Sequence, residues 1–153
     1  MGDVATPAKL TGLTNEDRLA VETLYRAFSQ NEPKLLNRAV IPDWLDIPLA
    51  PGQVPGREGM KSLIQNFATA FPDLGITIHE IIGAPGRVAV RAEITGTHTG
   101  EWFGVAPNNR SFRIRIHKFH HIEDGRIIHT WHLEDWFGWL CQVGAWPVQK
   151  EIV

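Results

Sequence analysis

Apolar residues recur at helical spacing in the first half of the chain and at alternate positions in the second half. The clearest helical stripe consists of Val21, Leu24, Tyr25 and Phe28. It predicts a helix that begins after residues 14–17, which resemble a capping box, and ends near residue 30. Further helices are predicted over 33–40, where Pro33 suits a first turn, and over 59–71.

Alternating apolar and polar positions predict four long strands in the second half of the chain. Their ranges are 76–82, 87–99, 110–122 and 126–136, and a short additional strand is predicted at 44–49. In the second and third long strands the even-numbered residues are mostly apolar, so one face of the sheet is expected to be buried. Three helices followed by a four-stranded meander predict an α+β domain in which a curved sheet wraps over the helices.

Size and charge restrict the classes of protein that this chain can represent. Its 153 residues, 43% of them hydrophobic, suffice for one globular domain, expected at 14–146 between an N-terminal arm at 1–13 and a C-terminal tail at 147–153. The formal net charge is -2 and the charges are dispersed, which argues against nucleic-acid or anionic membrane partners. One cysteine, no signal-peptide pattern and no membrane-length apolar run predict a cytoplasmic protein.

A carboxylate at the end of the last predicted strand is the strongest candidate for chemistry. Period-2 alternation places Asp135 on the same side as Ile127, Trp131 and Leu133, which predicts an acid that faces the core. An ionised carboxylate away from water is costly unless it is paired. Asp135 is therefore either a working acid/base or a structural group bonded to backbone amides where the strand ends near Gly138.

The turn between the last two strands predicts how they pair. If Glu123 pairs with Arg126, Asp135 lies opposite Ile114. The same register, extended through the preceding turn, places His98 across from Ile114 on the far side. His98 and Asp135 are then expected about 10 Å apart on one concave face, where they could bind opposite ends of a small ligand. The alternative for His98 is a rim histidine bonded to a turn carbonyl.

The seven histidines do not predict a metal site. Strand parity predicts that His129 and His132 lie on opposite faces of the sheet. It also predicts that His117 and His132 are neighbours on the outer face. No carboxylate or cysteine completes a zinc set there, so no metal is expected. Cys141 lies beyond the last predicted strand and is interpreted as a packing residue.

Several short motifs occur in an order and spacing that resemble a known family. They are Gly56-Arg57-Glu58-Gly59, Ala70-Phe71-Pro72-Asp73-Leu74, Gly96-Thr97-His98-Thr99-Gly100, Asp124-Gly125-Arg126-Ile127, and then Trp131, Asp135, Gly138 and Gln142-Val143-Gly144. Over 14–146 the chain resembles the SnoaL-like polyketide cyclases of the nuclear transport factor 2-like superfamily. The resemblance implies a conical α+β barrel with a deep pocket. Many relatives carry a histidine after the segment 42–46, and this chain has Ile47 there, which implies one polar pocket group fewer.

The family resemblance also implies an activity and a set of site residues. The activity is a cofactor-independent intramolecular aldol condensation of a carbonyl-rich apolar substrate, with Asp135 as general acid/base and His98 polarising a carbonyl. The residues interpreted as substrate-binding are Trp44, Ile47, Phe67, Trp102, Ile114, Trp131, Leu133 and Trp139. Two alternatives stay open: a non-catalytic module that binds a hydrophobic small molecule, and an isomerase or epoxide hydrolase on the same fold.

The outer face of the predicted sheet is polar but also holds an aromatic residue. Its members are Arg91, Glu93, Arg113, Arg115, His117, Phe119 and Glu134. Relatives commonly associate through this face, so the resemblance implies a homo-oligomer, either a dimer or a tetramer.

Overall fold

The computed structural model describes residues 12–146. The predicted tail at 147–153, and all but the end of the predicted arm at 1–13, lie outside the described residues. The helices within this range are α1 (Asn15–Ser29), α2 (Leu36–Ala39), α3 (Gly56–Ala70) and α4 (Trp136–Gln142), with a 3-10 helix at Pro33–Leu35. The strands are β1 (Val40–Ile47), β2 (Gly75–Ala84), β3 (Arg87–Thr97), β4 (Ser111–Glu123) and β5 (Arg126–Glu134).

The five strands form one open, curved sheet in the order β1-β5-β4-β3-β2. Strands β2 to β5 make the predicted antiparallel meander, and β1 extends it in parallel to β5. The predicted α+β class, with a curved mixed sheet against N-terminal helices, is confirmed. The sequence pattern did not predict α4, which begins where the last strand was expected to continue. None of the helices in 12–146 has the length and apolar composition of a membrane span.

Two side chains fix the start of α1 and attach it to the sheet. The hydroxyl of Thr14 accepts a hydrogen bond from the backbone N–H of Asp17 at 3.0 Å, as the capping pattern predicts. The buried carboxylate of Asp17 accepts a second hydrogen bond, from the backbone N–H of Gly86 at 2.9 Å. Since Gly86 lies in the turn between β2 and β3, this contact holds the helix against the sheet.

A β-bulge in β5 decides which of its residues face the helices. The predicted pair of Glu123 and Arg126 is present. Beyond it, His121 pairs with His129, which leaves Ile128 without a partner on β4. A shift of one residue turns every later side chain to the opposite face of a sheet. The inward orientation predicted for the odd-numbered residues after this point is therefore wrong.

Side-chain burial agrees with this change of face. Thr130 is fully buried, whereas Trp131 and Leu133 are 37% and 76% exposed. In β3 and β4, which contain no bulge between them, the predicted parity is confirmed, since Ile94 and Ile114 are both buried. The even-numbered residues of β3, β4 and the second half of β5 thus form the inner face of the sheet.

Candidate active site

A cavity of about 220 Å³ lies between helices α1 and α3 and the inner face of the sheet. Its wall is mainly apolar and includes Phe28, Met60, Leu63, Phe67, Ile94, Trp102, Ile116 and Trp136. Six polar side chains also reach it, namely Tyr25, Asp46, Gln53, Lys118, His132 and Glu134. A few polar groups inside an apolar cleft are typical of a site that binds a small molecule.

His132 connects two carboxylates in the cavity wall. Its Nδ1 lies 2.9 Å from Oε2 and 3.0 Å from Oε1 of Glu134. Its Nε2 lies 2.8 Å from the backbone oxygen of Pro48 and 3.4 Å from Oδ1 of Asp46. The parallel pairing of β1 with β5 brings these groups together, because Asp46 is the partner of Thr130 in that ladder.

The acceptors around His132 require a protonated ring. Both ring nitrogens face oxygen atoms, so both carry a proton and donate it. Burial by itself would lower the pKa of His132, but the carboxylates of Asp46 and Glu134 outweigh burial and raise it to about 9. Burial would likewise raise the pKa of Glu134, but hydrogen bonding to His132 and the charge of Lys118 hold it below its usual value. Near neutral pH, His132 is a cation and Glu134 an anion.

Asp46 is the less tightly held of the two carboxylates. Its side chain is 4% exposed, and the donors near it are Nε2 of His132 at 3.4 Å and Nε2 of Gln53 at 3.5 Å. Both oxygens of Glu134, in contrast, lie within 3.0 Å of His132. Hydrogen bonds to the charged form make a carboxylate a weaker base. The oxygens of Asp46 are therefore less occupied by protein donors and more open to a ligand than those of Glu134.

Lys118 is the second cation of the cavity. It is the direct partner of His132 in the β4–β5 ladder, and its Nζ lies 3.8 Å from Oε1 of Glu134. Glu134 therefore contacts both cations and offsets their mutual repulsion. Together with Asp46 these residues form a group without net charge, which we call the polar cluster (Asp46, Lys118, His132 and Glu134). Within 12–146 no three histidine, cysteine, aspartate or glutamate side chains converge so that they could hold a metal ion.

The loop after β1 forms one side of the cavity and is attached to the polar cluster. His132 donates to the backbone oxygen of Pro48 at its start. Gln53 accepts a hydrogen bond from the backbone N–H of Ala50 at 2.9 Å and directs its amide nitrogen towards Asp46. The position of this loop is thus coupled to the groups that would perform chemistry.

Comparison of the sequence with protein families agrees with the fold. The model of the SnoaL-like polyketide cyclases matches residues 18–143, which is most of the chain and includes the whole polar cluster. The chain belongs to the SnoaL-like polyketide cyclase family. The resemblance inferred from the short motifs is thereby confirmed.

Solved structures of several bacterial proteins resemble this SnoaL-like domain. TsrD from Streptomyces laurentii is 24% identical, with a TM-score of 0.80 over 88% of this chain and 99% of that protein. IdmH from Streptomyces antibioticus, a candidate polyketide cyclase, is 30% identical, with a TM-score of 0.73 over 84% of this chain and 98% of that protein. A candidate polyketide cyclase from Bacillus cereus is 26% identical, with a TM-score of 0.76 over 86% and 83% of the two chains. No curated protein sequence matches the chain.

Asp135 does not line the cavity of the SnoaL-like domain. Its side chain is exposed at the N-terminus of α4, where Oδ1 accepts a hydrogen bond from the backbone N–H of Gly138 at 2.8 Å. This is the structural alternative stated above, a carboxylate bonded to a backbone amide. Its own N–H donates to the backbone oxygen of Arg115, so the predicted pairing with Ile114 is wrong. The acid/base role of Asp135 stays a prediction that the observed cavity does not support.

His98 also lies elsewhere than predicted. Its ring is fully buried, 5.0 Å from Trp139 and 6.1 Å from Phe71 between ring centroids, and it does not line the cavity. Ile94, not His98, is the partner of Ile114, and the backbone N–H of His98 donates to the backbone oxygen of Arg110 instead. The predicted facing pair of His98 and Asp135 is therefore wrong, and so is the alternative of a rim histidine.

The eight residues predicted to bind substrate divide into two groups. The members that line the cavity are Phe67, Trp102 and Leu133. Those that do not are Trp44, Ile47, Ile114, Trp131 and Trp139. Trp44 is buried and donates to the hydroxyl of Thr130 at 3.0 Å, and Ile114 and Trp139 belong to the same core. Ile47 and Trp131 are 40% and 37% exposed, and Trp131 packs on His121 at the outer face.

The sequence patterns did not predict the polar cluster, although strand parity places two of its members, Asp46 and Lys118, on the inner face. Simple alternation predicts His132 and Glu134 on the outer face, and the bulge at Ile128 turns them inward instead. Lys118 has the even number of the inner face of β4, so parity alone would have placed it in the cavity. Asp46 alternates with the buried Trp44 in β1, which is the same kind of signal.

Proposed function

We propose that this SnoaL-like protein is a cofactor-independent enzyme that catalyses the intramolecular aldol condensation of an apolar, carbonyl-rich substrate, with Asp46 as general acid/base. The observation that supports the proposal is a buried carboxylate with long contacts, next to the imidazolium of His132, in an otherwise apolar cavity. Membership of the cyclase family and the likeness to IdmH agree with this class of reaction. Asp46 has the acid/base role that the sequence predicted for Asp135.

The reaction needs only a proton acceptor and a fixed substrate conformation. Asp46 removes a proton from a carbon between two carbonyl groups, and the resulting enolate carbon attacks a second carbonyl of the same molecule. Asp46 then returns its proton to the new alkoxide, so atoms and charges balance without a further reactant. The apolar wall holds the chain bent and excludes water. His132 keeps Asp46 and Glu134 in position and compensates their charge.

The other two candidate functions have less support from the cavity. An epoxide hydrolase of the predicted type requires carboxylates and an arginine that converge, and no arginine of the described residues lines this cavity. A module that only binds an apolar ligand has no need of two buried carboxylates and two cations, which are costly to remove from water. Acid/base chemistry therefore explains the charged residues of the polar cluster, which binding of an apolar ligand does not.

Proton exchange tests the proposal without knowledge of the natural substrate. The probe is 1-phenylbutane-1,3-dione, whose central carbon lies between two carbonyls, and the measurement is deuterium uptake at that carbon by NMR in D2O. The protein is expected to accelerate uptake above the uncatalysed rate. The acceleration should decline as the pH rises through about 9, since His132 then loses a proton and with it one of its two N–H donors. If no exchange above background occurs at any pH, the protein is a binding module and not this enzyme.

We further propose that the outer face of the sheet associates two copies of this chain. Phe119 and Trp131 pair across β4 and β5 and are 60% and 37% exposed, and Leu133 beside them is 76% exposed. Apolar residues that adjoin in this way are typical of an interface. Glu134, predicted on this face, belongs to the cavity instead.

Sedimentation velocity is expected to show a dimer that Phe119→Glu converts to a monomer, because the substitution places a charge at the centre of the face. The matched control is Leu19→Glu, since Leu19 on α1 is 58% exposed and remote from the sheet face. A wild-type chain that sediments as a monomer at all concentrations would contradict the proposal.

A further inference from the structure

We propose that Lys118 binds the enolate oxygen of the substrate, so that it is a second catalytic residue beside Asp46. This inference rests on the proposed function and extends it from the removal of the proton to the fate of the negative charge. The geometry of the polar cluster supports it, because the cluster contains two cations that are hydrogen-bonded very differently.

His132 has no donor left for a substrate. One of its N–H groups donates to Glu134 and the other to the backbone oxygen of Pro48. A hydrogen bond from His132 to a ligand would therefore require one of these contacts to break.

Lys118 has donors available. Its ammonium carries three N–H groups, and the oxygen of Glu134 at 3.8 Å lies beyond hydrogen-bonding distance. Among the described residues Nζ makes no hydrogen bond, so a ligand oxygen in the cavity could accept one without displacing a protein group. Lys118 is thus the cation of the cluster that is free to contact a substrate.

The surroundings of Lys118 strengthen its effect on a nearby charge. Its side chain is 14% exposed, and its Nζ lies 5.6 Å from the ring centroids of both Tyr25 and Phe28. A charge with little water around it interacts more strongly with a second charge than it does in bulk solvent. The ammonium group is a hydrogen-bond donor, and it lies within cation–π distance of both aromatic rings.

The role follows from the movement of charge during proton transfer. When Asp46 accepts the proton it becomes neutral, and the negative charge passes to the enolate oxygen of the substrate. Lys118 then stabilises a charge that is absent before the step, which is the condition for acceleration. No bond to Lys118 forms or breaks, and after the carbon–carbon bond has formed Asp46 returns its proton to the alkoxide.

The test compares Lys118→Met with the wild type in the exchange of 1-phenylbutane-1,3-dione. Methionine keeps an unbranched side chain among the aromatic rings and removes the charge. The exchange rate at saturating probe is expected to fall by about 10²–10³-fold, with the KM for the probe changed by less than about threefold. The absorbance of the bound probe gives a second readout, since the wild type should favour the enolate form and the variant should not. Lys118→Arg should recover part of the rate because it restores a cationic donor.

The variant Lys61→Met, which changes a half-buried lysine on α3 outside the cavity wall, serves as the control for folding and handling. Equal exchange rates and equal enolate absorbance in Lys118→Met and the wild type would overturn the role of Lys118 while leaving Asp46 as the base. Loss of rate only through a raised KM would overturn it too, because that result would assign Lys118 to binding. Absence of exchange in the wild type would instead remove the proposed function itself.

Discussion

Replacement of Asp46 by asparagine is expected to slow exchange of the diketone probe by about 10²–10⁴-fold, the usual contribution of a positioned general base. Asparagine has nearly the same shape but cannot accept a proton at neutral pH. The amide can still lie beside His132 and Gln53, so the fold and the affinity for the probe should change little. The measurement is deuterium uptake by NMR, with probe binding measured separately by absorbance.

Asp135→Asn is the matched comparison for this experiment. Asparagine is as good as aspartate at the start of a helix, so it should keep the hydrogen bond with Gly138 and leave the melting temperature and the exchange rate unchanged. The two variants have the same chemistry at two candidate positions, one in the cavity and one outside it. A normal rate in Asp46→Asn together with a large loss in Asp135→Asn would return the acid/base role to Asp135.

Acidification is expected to destabilise the protein through His120, a fully buried histidine outside the cavity wall. Its Nδ1 lies 2.9 Å from the hydroxyl of Thr130. Burial first, and then the charges of Lys118 and His132, lower the pKa of His120 from 6.5 to about 3. Between these two pH values the unfolded chain binds a proton at this position and the folded chain does not. Stability is therefore fully present above pH 6.5 and is lost as the pH falls towards 3.

The size of this effect is about 1.4 kcal/mol per pH unit within the window, or roughly 2 kcal/mol between pH 6.5 and 5. Urea unfolding gives the free energy of unfolding at each of these two pH values. Between pH 6.5 and 5 this free energy should fall by roughly 2 kcal/mol less in His120→Gln than in the wild type, whatever the stability of the variant at neutral pH. His117→Gln is the control, because His117 is an exposed histidine on the same strand. Identical pH dependence in His120→Gln and the wild type would show that His120 is not the group responsible.

The elements that local patterns determine could be predicted from the sequence. Helices α1 and α3 and strands β2 to β5 lie close to their predicted ranges, because each has a regular apolar repeat and ends at turn residues. The turn that pairs Glu123 with Arg126 was also predictable, since its residues favour a tight connection. The family could likewise be recognised from its short motifs, because most of these motifs lie at turns and at the ends of helices and strands, which local sequence determines.

The candidate site depends on features that no local pattern contains. The unpaired Ile128 has an ordinary strand sequence on both sides. It gives His132 and Glu134 the orientation opposite to the one that simple alternation from the start of β5 predicts. His98 is buried as the parity of β3 predicts, but it lies past the end of the strand, beside Phe71 and Trp139 and outside the cavity wall. The parallel contact of β1 with β5, which brings Asp46 to His132, is a long-range pairing. Strand periodicity therefore identified the inner face of β3 and β4, but not the end of β5.

The bulge also has a consequence for how such proteins diverge. Loss of Ile128 alone would restore continuous pairing along β4 and β5 and leave each later residue opposite its present partner, because Ile128 has no partner on β4. Trp131 would stay on the outer face, and His132 and Glu134 would stay in the lumen. A single codon deletion at this point would thus preserve the polar lumen, whereas the same deletion later in β5 would turn the residues beyond it to the opposite face.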